Sequence, residues 1–507
     1  MHRSLPPRPN AEQLRKRAKE LLRALCAGDG DALHRARATR FELPARLRLH
    51  DAQTVLAREY GFRSWRRLIA HVERVTLVGL TLEQKAERFL KRLTAGAHSG
   101  AQRILDMEPH VAAVDIFTAA ATGEAARVAQ VLRRDPSVVR ATAGPRRWTP
   151  LLFACSSPLH RTNVPRARGI LESARLLLAS GADPNASYVD PDRPESPLSA
   201  LFCAIRVGGN NDLVRLLLDS GAEPDDDESL YHAAELSDPT ALTLLLDRGA
   251  AWRGTNVLLR ALDFGDYGRV KLLLEYGVGP NETTPNALHH AILRGRQPEI
   301  LQLLVDYGAD VEGLDSRGHT LHQAALRYGS RDVRRFLAEH GLDTPPGDEE
   351  RFLAACTAGD LPDALRWNDR LPGIVERLHP EDTGLIAHAA WEGNLEAVHT
   401  MVAVGFPLDA RGGDGGTPLH CASHCGHREV VRLLLDHGAS VIDRGDIHRN
   451  TPLEWAVHGS LNADIPGGDY AGVVQALLDA GSPVPERVYA APEVAELLVR
   501  YGAEEVV

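Results

Sequence analysis

From Asp414 to Asp443 the chain reads DGGTPLHCASHCGHREVVRLLLDHGASVID, and its apolar positions fall at helical spacing in two short blocks. Thr417 suits an N-cap, and Pro418 at the first helical position loses no hydrogen bond by lacking an N–H. The first block runs from Leu419 to Cys425 and stops at Gly426. The second carries Val430, Val431, Leu433, Leu434 and Leu435, a broad apolar face, and Asp436 and His437 close it. Gly438 then supplies the left-handed residue that ends a helix without Cβ strain. Two helices this short cannot bury their apolar faces alone, so the pattern predicts neighbouring copies.

The copies are present. Thr149-Pro150-Leu151, Ser196-Pro197-Leu198, Ser229-Leu230-Tyr231-His232, Ala287-Leu288-His289, Thr320-Leu321-His322 and Thr451-Pro452-Leu453 restart the pattern. Its ending recurs as LLLASGAD (176–183), LLLDSGAE (216–223), LLVDYGAD (303–310) and LLLDHGAS (433–440). Most of the closing glycines lie roughly 28 to 43 residues apart, scattered around a 33-residue period. TPLHCASHCGHREVVRLLLDHGA resembles the ankyrin repeat motif almost position by position, and the resemblance runs from about Phe117 to the C-terminus. It implies an all-α solenoid of stacked helix-turn-helix units with short loops and β-turn fingers. The segment LRLHDAQTVLAREYGFRSWRRLIAHVE resembles the helical region that precedes such arrays in a group of bacterial proteins.

The expected organisation is a basic helical region over 1–80, a divergent helical repeat over 81–116, and a first array over 117–345. A degenerate repeat follows over 346–381, then a second array with a C-terminal capping helix over 382–507. The double proline Pro345-Pro346 marks a weak joint. Insertions at 156–169, 187–196 and 458–470 are rich in Pro and Gly and are expected to be loops.

Composition sharpens this picture. The 507 residues exceed a usual single core, which a solenoid does not need. Residues 1–80 hold 17 Lys/Arg against 8 Asp/Glu, whereas the whole chain carries a net charge of −10. That overall sign argues against a nucleic-acid platform. The chain shows neither an 18-residue apolar run nor a signal-peptide core, and its six scattered cysteines suit reduced thiols. A cytoplasmic protein is expected. Lysine occurs at five positions and arginine supplies the remaining basic residues, a bias that suggests a GC-rich bacterial source.

Candidate chemistry is sparse. His420, Cys421, His424, Cys425 and His427 have chelating i, i+4 spacing, but the motif itself accounts for His420 and His427, leaving too few ligands for a metal. His232, His289, His322 and His420 recur once per unit, and the ankyrin pattern implies that each bonds neighbouring backbone. Asp225-Asp226-Asp227-Glu228 lacks the spacing of a calcium loop, and Gly412-Gly413-Asp414-Gly415-Gly416 lacks the Lys-Ser/Thr of a phosphate loop. No catalytic set, metal, cofactor or small-molecule substrate is expected.

The expected function is therefore non-catalytic protein–protein recognition on a concave surface. The alternative is an adaptor whose basic N-terminal region engages nucleic acid or an enzyme while the array addresses it. The ankyrin pattern turns the residue before the Thr, and the two before the turn Gly, toward the groove. Those positions hold Trp148, Glu195, Glu228, Arg294, Trp391, Glu392, His424, Cys425 and Asn450. Trp148 and Trp391 are the expected exposed anchors, since a rigid groove Trp buries much area while freezing two torsions.

Overall fold

The computed structural model describes residues 3–6, 9–39, 47, 49–96, 98–190, 193–328, 331–445, 447, 449–463, 465, 467–485, 487–488 and 490–505. Short helices dominate, each opened and closed by the chemistry of its own ends. Thr417 Oγ1 accepts from His420 N–H at 3.4 Å, Asn163 Oδ1 from Arg166 N–H at 2.8 Å, and Asp266 Oδ1 from Arg269 N–H at 2.9 Å. Gly438 ends its helix region at φ 89°.

The chain divides into two compact units, residues 80–321 and residues 1–79 together with 322–506. In the first, helices Ile116–Thr122 and Pro150–Cys155 pack side by side, as do Val257–Phe264 and Ala287–Leu293. The finger turns are tied by asparagines. Asn185 accepts from Glu223 N–H at 2.8 Å and donates to the Gly221 carbonyl at 3.4 Å. Asn281 makes the same pair with Asp310 and Gly308, both at 2.8 Å.

Two expected loops are instead built into this unit. Within 156–169, Pro158–Arg161 forms a 3-10 turn and Val164 begins a helix that runs to Ala179. Pro165 is tolerated because it sits in the first turn, where its missing N–H leaves no bond broken. The 187–196 segment belongs to an antiparallel hairpin, Ser187–Asp190 against Arg193–Ser199. Tyr188, buried on that hairpin, explains why it folds back rather than standing in water.

In the second unit, helices Leu385–Trp391, Pro418–His424 and Pro452–Asn462 stack in succession over a core that includes Leu419, Leu434, Leu453 and Leu477. The 458–470 insertion thus begins as helix, correcting the expected loop. The N-terminal helices Ala11–Cys26, Gly30–Ala38, Leu49–Glu59 and Trp65–Val78 enclose their own core of Leu14, Leu21, Leu25, Val55, Leu56 and Leu68. Helix Leu49–Glu59 also packs on the last helix, Pro492–Tyr501. The N-terminal region therefore shares a unit with the C-terminal repeats.

The unit boundary falls at 321/322 rather than at Pro345-Pro346. A bond crosses the double proline: Thr357 Oγ1 donates to the Leu326 carbonyl at 2.9 Å, while on its N-terminal side Thr344 N–H donates to His322 Nδ1 at 3.1 Å. Arg327 and Asp382, both buried, pair at 3.0 Å further along the same junction. The degenerate stretch is helical too, over Asp348–Thr357, Leu361–Arg370, Ile374–Arg377 and Pro380–Thr383. Among the described residues no helix is long and apolar enough to cross a membrane.

Candidate partner-binding surface

The two positions before each turn glycine recur along the array, and the structure fills them differently in the two units. In residues 80–321 they hold a chain of ion pairs. Arg206 Nε lies 3.6 Å from Glu235 Oε2, and Arg260 donates to Glu235 at 2.7 Å and to Asp263 at 3.2 Å. Asp263 then meets His290 Nε2 at 2.8 Å and Arg294 Nε at 2.7 Å. His232 stands between Glu228 and Glu235, at 3.2 and 3.1 Å.

Opposing effects act on these carboxyls. Burial pulls Glu235 upward, but His232 and Arg260 outweigh it and hold the group below its usual range. Burial likewise raises Asp263, and His290, Arg294 and Arg260 bring it below its ordinary value. The Arg260 guanidinium also lies 5.1 Å from the Tyr231 ring and 5.0 Å from Phe264. This strip is ordered, with its charges matched by one another.

In residues 322–506 the same positions hold a pile of rings. Trp391 stacks on His424 with centroids 5.0 Å apart and planes at 18°, and His424 stacks on His458 at 5.4 Å and 24°. Trp455, buried beneath, meets His424 edge-on at 5.8 Å and His420 at 5.4 Å. His427 Nε2–H donates to the Trp391 carbonyl at 2.9 Å, and its burial lowers its proton affinity.

The sequence candidates fall unevenly on these surfaces. Trp391 and His424 are brought together, half-buried, with exposed Glu392 alongside. Glu228 and Arg294 both join the ion-pair strip. Asn450 contributes its backbone carbonyl, which accepts from His420 Nε2–H at 3.1 Å. Cys425 is buried, and burial pushes its thiol upward, so it is not a surface contact. The side chain of Glu195 lies outside the described residues.

Trp148 is not an exposed anchor. It is 3% exposed, set between Phe153 at 5.3 Å and Tyr188 at 5.0 Å, because the hairpin folds over it. Arg146 reaches across to Asp190 at 3.3 Å and secures the cover.

The other motifs resolve into structure. His420 Nδ1 accepts from Thr417 N–H at 3.2 Å while Nε2–H donates to Asn450, so both ring nitrogens are engaged. His289 donates to the His319 carbonyl at 3.1 Å in the same manner, whereas His232 departs from it by facing two carboxylates. Asp226 accepts from Ser229 N–H at 2.7 Å and from its hydroxyl at 2.6 Å, which makes it a helix cap. Among the described residues no three His, Cys, Asp or Glu side chains converge as metal ligands.

A family model described as Ankyrin repeats (3 copies) matches residues 258–348 and 386–483. Mouse protein phosphatase 1 regulatory subunit 27 is 31% identical over 125 residues, which cover 24% of this chain and 80% of that protein. The chain belongs to the ankyrin-repeat family. Zebrafish ankyrin repeat and SAM domain-containing protein 6 is 27% identical over 252 residues, 49% of this chain and 30% of that protein. The chain thus spans under a third of that relative's length. The crystal structure of the human ASB11 ankyrin repeat domain aligns at 24% identity over 48% of this chain and 96% of that one, with a TM-score of 0.23.

Sequence reasoning missed Arg206, Glu235, Asp263 and His458, although the signal existed. Each sits seven residues after the N-cap of its first helix (Ser199, Glu228, Asn256 and Thr451), as Trp391 does after Gly384 and His424 after Thr417. Reading that position down every repeat, rather than only in well-preserved copies, recovers both strips.

Proposed function

We propose that this ankyrin array is a non-catalytic scaffold that recognises partner proteins through the groove lined by its first helices and finger turns. The observation that carries the reading is the continuity of the two groove strips across successive repeats. Rigid helices hold these side chains in place before binding, so little ordering cost remains. The mouse relative's name, a regulatory subunit of a phosphatase, is consistent with an adaptor role. A cytoplasmic setting suits the thiols, of which Cys155, Cys203, Cys356, Cys421 and Cys425 are buried and not joined in disulfides. The arginine bias favours a bacterial source, although the relatives named above are animal proteins.

The test is affinity capture with the tagged full chain and with Arg294→Glu and Trp391→Leu. The captured proteins should change while circular dichroism and melting stay close to the parent. An unchanged capture by both variants would reject groove recognition.

A further inference from the structure

One cavity in residues 80–321 lies between two finger turns. It measures about 580 Å³ and is lined by Val139, Arg140 and Thr149 from one repeat and by Asp183, Asn185 and Ser187 from the next. Arg140, Asp183, Asn185 and Ser187 are exposed, so solvent reaches it.

Its polar groups are unequally engaged. Asn185 is committed to its finger turn, accepting from Glu223 N–H and donating to the Gly221 carbonyl. Asp183 Oδ1 accepts from Asn185 N–H at 2.9 Å, and Thr149 Oγ1 accepts from Leu152 N–H at 3.3 Å. Among the described residues, the Arg140 guanidinium and the hydroxyl protons of Thr149 and Ser187 meet no acceptor. Three donors without acceptors thus line one cavity.

Charge supplies the second observation, because the unit is divided. Residues 80–187 hold 15 Lys/Arg against 9 Asp/Glu, whereas residues 188–321 hold 11 against 22. In the first stretch Lys85 pairs with Glu108, Arg146 with Asp190 and Arg175 with Glu172. Arg133, Arg134 and Arg147 are exposed and, like Arg140, have no partner among the described residues. Asp135, beside the first two, is held as a cap by the N–H and hydroxyl of Ser137 at 3.0 and 2.6 Å.

We propose that this cavity receives an aspartate or glutamate side chain from an acidic segment of a partner protein. Arg140 pairs with the carboxylate, and the Thr149 and Ser187 hydroxyls donate to it or to the carbonyls of the segment. Arg133, Arg134 and Arg147 attract the further acids of such a segment. A carboxylate suits the cavity better than a phosphate, because Asp183 stands on the same wall and repels a second negative charge. This assignment rests on the reading of the array as a protein-binding scaffold.

Fluorescence anisotropy of the full chain with labelled synthetic peptides tests it. The probes are repeats of Gly-Ala-Glu, with Gly-Ala-Gln, Gly-Ala-Lys and Gly-Ala-phosphoserine counterparts. The Glu peptide should bind tightest, and Arg140→Gln should weaken it about tenfold while leaving the melting temperature unchanged. Arg168→Gln removes the same charge near the start of helix Val164–Ala179, roughly 18 Å along its axis from Ser180. That control should change little. Ser187→Ala should weaken the Glu peptide and Asp183→Asn should tighten it.

Equal weakening by Arg140→Gln and Arg168→Gln would show bulk charge attraction and overturn the proposal. A Gln or Lys peptide that binds as tightly as the Glu peptide, or no binding by the Glu peptide, would overturn it too. Tighter binding by the phosphoserine peptide would assign the cavity to phosphate instead. Captured partners that leave on Trp391→Leu or Arg294→Glu but ignore Arg140→Gln would reject this site while sparing groove recognition.

Discussion

Leu49, in the third helix of the chain, packs against Gly502, just beyond the last one; a Cβ built on Gly502 would stand 3.1 Å from Leu49 Cδ2. Helix Leu49–Glu59 covers helix Pro492–Tyr501, and so shields an end that in a solenoid must not stay apolar and exposed. Leu49→Ala should destabilise by about 2–5 kcal/mol. Amide exchange should quicken at Pro492–Tyr501, and faster exchange confined to the N-terminal helices would contradict this docking.

Arg327 and Asp382 form a buried pair, and removing the arginine takes the counter-charge away from a carboxylate that is 1% exposed. Arg327→Leu should cost about 3–5 kcal/mol in urea melts. Replacing both residues together with apolar side chains of similar volume should cost clearly less. A double variant as weak as the single one would show that the pair contributes more than mutual neutralisation.

Two glycines separate strain from collision. A Cβ at Gly438 meets nothing within 4 Å, so Gly438→Val pays only for φ 89°, on the order of 1–3 kcal/mol. A Cβ at Gly459 would lie 1.9 Å from the His424 carbonyl oxygen. Gly459→Ala should therefore be the worse variant despite its smaller side chain, at roughly 3 kcal/mol or more. Thermal melts of the two, compared with the parent, decide the order.

Glu235 and Asp263 predict an acid-sensitive strip. Both folded-state values are depressed, so their contribution is complete above the unfolded carboxylate value near about pH 4. It is lost as pH falls through the lower folded values. Glu235→Gln and Asp263→Asn should thus lower the melting temperature at neutral pH and converge on the parent below about pH 4. A gap that stays constant down to low pH would remove the electrostatic account.

Trp148 and Trp391 should behave oppositely. Trp148→Ala empties a buried site between Phe153 and Tyr188 and should cost about 3–5 kcal/mol. Trp391→Ala removes a half-buried ring and should cost clearly less. Equal losses would place Trp391 in the core rather than on the groove.

The repeat itself was legible in the chain because its determinants are local. Thr417, Pro418, Gly426 and Gly438 act on backbone within a few residues, and the leucines between them set one apolar face that only a neighbouring copy can cover. The same rules put Trp391 and His424 at one helical position in neighbouring repeats, where their rings stack. What covers a side chain is another matter, decided by residues far away in sequence. Trp148 occupies a groove position but is buried, because the hairpin carrying Tyr188 returns over it. Arg206, Glu235, Asp263 and Arg294 share one strip only because separate repeats stack in register, and Arg260 spans the gap between two of them. Pro345-Pro346 looked like a joint, yet the Thr357–Leu326 hydrogen bond and the Arg327–Asp382 pair hold its flanks together. Leu49 meets Gly502 across almost the whole chain, a pairing that no local pattern encodes and that only packed surfaces could select.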